Sequence, residues 1–269
     1  MRLEACINGN PNVGDDLNHW LWPQLLPGLF NESPEHVFLG VGTLLTKKRV
    51  EKQLAGVKTV SILSSGAWGP QAPKCAPNWK VYGVRGPRTA AWVGLDSSSV
   101  VGDGAYLLRR CVSPTVATHE SAPIGFVPHH RSEDYINWEP ICRAAGVQLI
   151  SARQGVEPFI QQLTSCKLVV SEAMHGAIFA DALRIPWLPA KFSPAFREDK
   201  WLDWADSMSL DLHFHILPAV HDKPFPLGKR LEKTFKQLMS RFKVSGKLPE
   251  QSWKSGPLEV AKLIQALRC

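Results

Sequence analysis

Short apolar runs alternate along this chain with stretches in which apolar positions recur every three or four residues. In the first half, residues 3–8, 37–42, 59–64 and 81–84 form near-continuous apolar runs bounded by glycine, proline or polar turns, the pattern of strands buried on both faces. Helical spacing falls between them, at 16–26, 47–54 and 88–93, and a further short strand is expected at 99–101. A polar, proline-containing stretch at 113–123 interrupts the rhythm. It then resumes with strands at 124–128, 147–151 and 168–171 and helices at 133–145, 157–164 and 176–183. Alternation of this kind predicts parallel βαβ units and an α/β protein.

A chain of 269 residues is longer than one core usually organises, and the break after 113 divides it into expected lobes at 1–113 and 114–269. A hydrophobic fraction of 44% against 20% charged residues excludes a largely disordered chain. No apolar run approaches ~18 residues, and the first ten residues turn polar too soon for a signal-peptide core, so the cytoplasm is the expected location. Cys6, Cys75, Cys111, Cys142, Cys166 and Cys269 are scattered without metal-ligand spacing; they read as reduced thiols, and no metal is expected.

The net charge of +7 is local. Residues 223–247 hold eight basic side chains against Glu232, and the rest of the chain is balanced, which argues against a nucleic-acid groove through the main fold. Leu231, Phe235, Leu238, Met239 and Phe242 recur there at helical spacing, with Arg230, Lys233, Lys236, Arg241 and Lys243 on other faces. Two readings follow: a helix packed on the core with a solvated basic face, or peripheral contact through 227–247 with anionic lipid on the inner face of the cytoplasmic membrane.

In open parallel sheets, ligands gather beyond the carboxyl ends of the strands. Six clusters follow predicted strands. Asn12, Gly14, Asp15 and Asp16 open a helix, where they read equally as a ligand site or as caps. Gly40 and Gly42 end the second strand without the acidic partner of a dinucleotide fingerprint, so no cofactor is inferred. Arg85 and Arg88 flank a strand-to-helix turn with Pro87 in its first turn, an arrangement that reads equally as a dianion site or as surface salt bridges, with Arg85 favoured for function because it sits at the strand end. Gly102-Asp103-Gly104 reads almost equally as a ligand site or as a tight turn, and His129, His130 and Arg131 close the first strand of the second half, as a ligand-facing group or as a solvent-facing strand terminus. The sixth, at 168–183, runs from a buried strand through a polar turn into a small-residue helix; this sets His175 beside Gly176, and imidazole is suited to proton transfer near neutral pH.

Taken in order, the Asn-x-Gly-Asp start, the Arg85-Gly86-Pro87-Arg88 turn, the Gly-Asp-x-Ala turn and Ser171-x-x-x-His175-Gly176 resemble the polysaccharide pyruvyl transferase family, over about residues 8–192. The resemblance implies a GT-B-like fold of two Rossmann-like lobes with the active site in the intervening cleft. It implies phosphoenolpyruvate as donor and a glycan acceptor, free or lipid-linked, with a pyruvate ketal as product. His175 is then the acid-base and Arg85 its catalytic partner. Arg85, Arg88, Met174, Gly176, His130, Arg131 and Lys191 form the donor site, and Asn12, Gly14, Asp15 and Asp16 the acceptor side. One departure stands out: many relatives carry an arginine two residues before the histidine, where this chain has Ala173, and Arg131, His130 or Lys191 are expected to compensate. The alternatives are a nucleotide-sugar glycosyltransferase and a glycan-binding or assembly protein without catalysis.

Overall fold

The computed structural model describes residues 1–6, 9, 11–31, 33–73, 75–113, 117, 119–192 and 196–216. The amphipathic basic stretch at 227–247 lies outside them. Among the described residues no helix is long and apolar enough to cross a membrane.

Two compact units account for the chain. The first comprises Met1–Ser113 together with Asp199–Asp211; the second comprises Pro114–Glu198 and resumes at Leu212. The first unit is built on β1 (Arg2–Glu4), β2 (His36–Leu39), β3 (Thr59–Ser65) and β4 (Trp79–Val84), all parallel and in sequential order. The helices α1 (Val13–Leu25) and α2 (Pro87–Val93) join it. Val37, Leu39, Val60, Ile62 and Val84 are fully buried at its centre, as expected of strands covered on both faces.

In the second unit the sheet runs β6-β5-β7-β8-β9, again all parallel: β5 (Ile124–Val127), β6 (Gln148–Leu149), β7 (Leu168–Ser171), β8 (Trp187–Lys191) and β9 (His215–Ile216). Its helices are α3 (Trp138–Ala145), α4 (Val156–Thr164) and α5 (Met174–Ala182). Phe126, Trp138 and Phe192 meet edge-to-face or tilted, with centroids 4.8–5.5 Å apart, in a core closed by Val170 and Leu188.

The α/β class and the parallel sheets match the sequence expectation; several elements depart from it. The strand expected at 99–101 is a 3-10 turn at Ser97–Ser99 with one bridge between Val84 and Val100, because Asp96 accepts the Ser98 amide at 2.8 Å and draws the three serines into a cap. The helix expected at 47–54 is present over 47–53, its Arg49–Gln53 part wound as a wide π turn closed by the Leu54 amide on the Arg49 carbonyl at 3.1 Å. The helix expected from 133 begins instead at Trp138, after a 3-10 turn at Ser132–Asp134. A sixth helix, α6 (Glu198–Ser207), falls in a segment the sequence left irregular; its Trp201 and Trp204 are buried, 5.8 Å apart.

Candidate functional site

The second unit gathers its candidates at the carboxyl ends of three neighbouring strands. β5 pairs with β7 through Val127 and Ser171, and β7 pairs with β8 through Ser171 and Pro189. His130 and Arg131 follow β5, Met174, His175 and Gly176 follow β7, and Lys191 ends β8. The topology therefore brings this half of the expected donor set to one edge.

His175 is the second residue of α5. Ala173 precedes the helix in extended conformation and no side chain caps it, so the first-turn amides have no intrahelical acceptor and face outward with the positive end of the dipole. The arrangement suits an anion. Gly176 is required by packing: a Cβ there would lie 2.4 Å from Ser171 Oγ and 2.9 Å from Val127 Cγ1. Ser171 Oγ donates to the Ala173 carbonyl at 2.7 Å, tying the strand end to the start of the helix.

Glu172 lies in the polar turn after β7 and carries no role in the sequence pattern. It is fully buried, and its Oε2 accepts the His129 amide at 2.9 Å and lies 2.9 Å from Ser132 Oγ. Ser132 Oγ also accepts from Trp138 Nε1 at 3.2 Å. One buried carboxylate thus pins the loop of His129, His130 and Arg131 to the end of β7. Within that loop the two imidazoles stack at 4.4 Å, the Arg131 amide donates to His129 Nδ1 at 3.2 Å, and Arg153 donates to the His130 carbonyl. Lys191 is paired with Glu198 at 3.2 Å and lies 5.8 Å from the Phe196 ring centroid.

The first unit presents its own cluster. Asn12, and not an aspartate, caps α1: its side chain accepts the Gly14 amide at 3.4 Å and donates to Asp15 Oδ2 at 2.8 Å, while its own amide donates to Asp16 Oδ2 at 3.2 Å. Arg85 leaves β4 fully buried. Its Nε donates to Asp203 Oδ2 at 3.0 Å, and its side chain is 1% exposed. Arg88 pairs with Asp206 at 3.0 Å near the surface. Both arginines that the sequence offered to a dianion are therefore matched by aspartates of α6, three residues apart on each side. Asp203, more than a hundred residues downstream, left no local signal in the sequence. Nη1 and Nη2 of Arg85 are buried without hydrogen-bond partners, and the guanidinium lies against Gly66, where a Cβ would come within 2.3 Å of Cζ.

Among the described residues no group of three or more His, Cys, Asp or Glu side chains is placed to hold a metal ion. No family model matches the chain. It is similar to the succinoglycan biosynthesis protein ExoV of Rhizobium meliloti (strain 1021), with 35% identity over 209 residues, which is 77% of this chain and 65% of that protein.

Proposed function

We propose that this chain, similar to a succinoglycan biosynthesis protein, acts as a polysaccharide pyruvyl transferase: it moves the three-carbon unit of phosphoenolpyruvate onto two hydroxyls of one sugar in an exopolysaccharide precursor, on a GT-B-like fold. The observation that carries the reading is His175 in the uncapped first turn of α5, at the carboxyl edge of a parallel sheet. The N-terminal turn of a helix suits a phosphate or carboxylate, and an imidazole in the same turn suits delivery of a proton.

In this reading His175 protonates the terminal carbon of the enol, leaving an oxocarbenium-like centre at the carbon bearing phosphate. One sugar hydroxyl adds there, its proton passing back to His175. The carbon–oxygen bond to phosphate then breaks, and the second hydroxyl closes the ketal, its proton leaving with inorganic phosphate. Amides of Met174, His175 and Gly176 hold one charged group of the donor, and Arg85, with Arg88, is assigned to the other. His130, Arg131 and Lys191 stand in for the arginine that many relatives carry at the position of Ala173. Asn12, Gly14, Asp15 and Asp16 are assigned to sugar hydroxyls.

The test is incubation of the full chain with phosphoenolpyruvate and lipid-linked glycans, reading phosphate release and the pyruvate mass increment. Both signals are expected, and both should vanish in His175→Ala and fall steeply in Arg85→Ala. Turnover of a nucleotide sugar instead would refute the donor assignment. Location at the cytoplasmic face through 227–247 belongs to the same proposal, and co-sedimentation with anionic vesicles should weaken with salt and with Lys233→Glu.

A further inference from the structure

We propose that Asp203 is a positioning residue for the donor: by holding Arg85 through Nε alone, it presents Nη1 and Nη2 as a fixed fork for a phosphate or carboxylate. This rests on the donor reading above.

The ion pair is one-ended. Asp203 takes one of the guanidinium's donors, and the two terminal nitrogens, equally buried, have no hydrogen-bond partner. Buried donors left unmade are costly, and a pair serving stability alone would engage the guanidinium through two parallel bonds. Asp203 is not free to do so. Its Oδ1 accepts the Thr89 amide at 2.9 Å and its Oδ2 accepts Thr89 Oγ1 at 2.7 Å, so the carboxylate is fixed to the first turn of α2. Thr89 Oγ1 in turn accepts the Ala67 amide at 3.0 Å. The plane of the guanidinium is set from the other side by Gly66, where any side chain would collide with it. Orientation is therefore determined twice, while the end that recognises planar or tetrahedral oxyanions in bidentate fashion is left unused. Nη1 and Nη2 are closed off from solvent, so an anion reaches them only as the side chains over them give way.

The test is calorimetric titration of the full chain with phosphoenolpyruvate, alongside donor KM and kcat, for the wild type, Arg85→Ala, Asp203→Asn, Asp203→Glu and Thr89→Ala. Asp203→Asn keeps the shape and removes the charge that anchors Nε; Asp203→Glu keeps the charge and displaces it. Both are expected to weaken donor binding by about tenfold or more, the cost of one misplaced charge-assisted contact, with KM rising more than kcat falls. Thr89→Ala strips one donor from the same carboxylate while its amide still holds Oδ1, and should weaken donor affinity by less than either Asp203 variant. Wild-type affinity in both Asp203 variants, or equal losses in Thr89→Ala, would overturn the positioning role; if Asp203→Asn fails to fold, Asp203→Glu decides. Loss of affinity in Arg85→Ala without loss in either Asp203 variant refutes this inference alone, whereas a wild type that does not bind phosphoenolpyruvate refutes the donor reading and this inference with it.

Discussion

Replacing Gly176 with alanine tests whether the close approach of α5 to the strand ends is as tight as its geometry indicates. The added methyl would sit 2.4 Å from Ser171 Oγ, 2.9 Å from Val127 Cγ1 and 3.1 Å from Val127 Cβ. Neither neighbour yields cheaply, since both are fully buried. Rotating Ser171 breaks its 2.7 Å bond to the Ala173 carbonyl, at about 1–3 kcal/mol for an acceptor left unmade. Val127 is β-branched and held in one rotamer, so the remaining overlap is relieved by displacing the helix, at about 1–3 kcal/mol for an overpacked site. Against this, alanine is favoured over glycine in a helix by up to about 1 kcal/mol. Overpacking wins, with a net loss of about 1–6 kcal/mol. Urea denaturation should show this as a lower midpoint at constant slope. The double variant Gly176→Ala/Ser171→Ala removes the nearest obstructing atom and should recover about 1 kcal/mol relative to additivity. A single variant as stable as the wild type, or no coupling to Ser171, would refute the argument.

Other consequences follow from buried groups. Asp203→Ala strands the Arg85 guanidinium in the interior and should cost about 3–5 kcal/mol in chemical denaturation; a loss below 1 kcal/mol would mean that the pair is not buried in solution. Burial raises the Glu133 carboxyl above the usual carboxylate range, against the opposing effects of the Ser151 hydrogen bond and the Arg153 charge. A raised acid holds its proton more tightly in the folded state. Its charged form therefore penalises folding above the folded pKa, and the penalty fades as pH falls through that value. Glu133→Gln should accordingly raise Tm at neutral pH, with the gap to wild type closing by about pH 4; a gap that widens on acidification would contradict the sign. Burial pushes the thiols of Cys142 and Cys166 up to about 12 and about 11, so alkylation of the native protein at pH 8 should mark exposed Cys75 first and reach those two only on unfolding. Equal labelling rates for Cys142 and Cys75 would refute their burial.

The legible parts of the fold were those written in local pattern. Residues 168–171 are apolar up to Ser171 and bounded by polar turns, so β7 was read at its observed limits. The helix that follows starts two residues before the expected position, because Ala173 has no capping side chain to mark the start. β8 escaped notice for a physical reason: Pro189 sits inside Trp187–Lys191, and proline speaks against a central strand. It is tolerated because the pairing with β9 involves only Ala190 and Lys191.

For the candidate site, sequence alone determined which residue types follow which strands, because in a parallel sheet the loop after every strand emerges at the same edge. That was enough to single out His175, Arg85 and the loop of His130 and Arg131. Tertiary structure decided their states. Asp203 and Asp206 match Arg85 and Arg88 only because α6 is part of the first unit, and Glu172 organises the histidine loop only because β5 and β7 are neighbours. Charge pairing depends on distance in space, and residues 118 apart in the chain carry no periodicity by which that distance could be read.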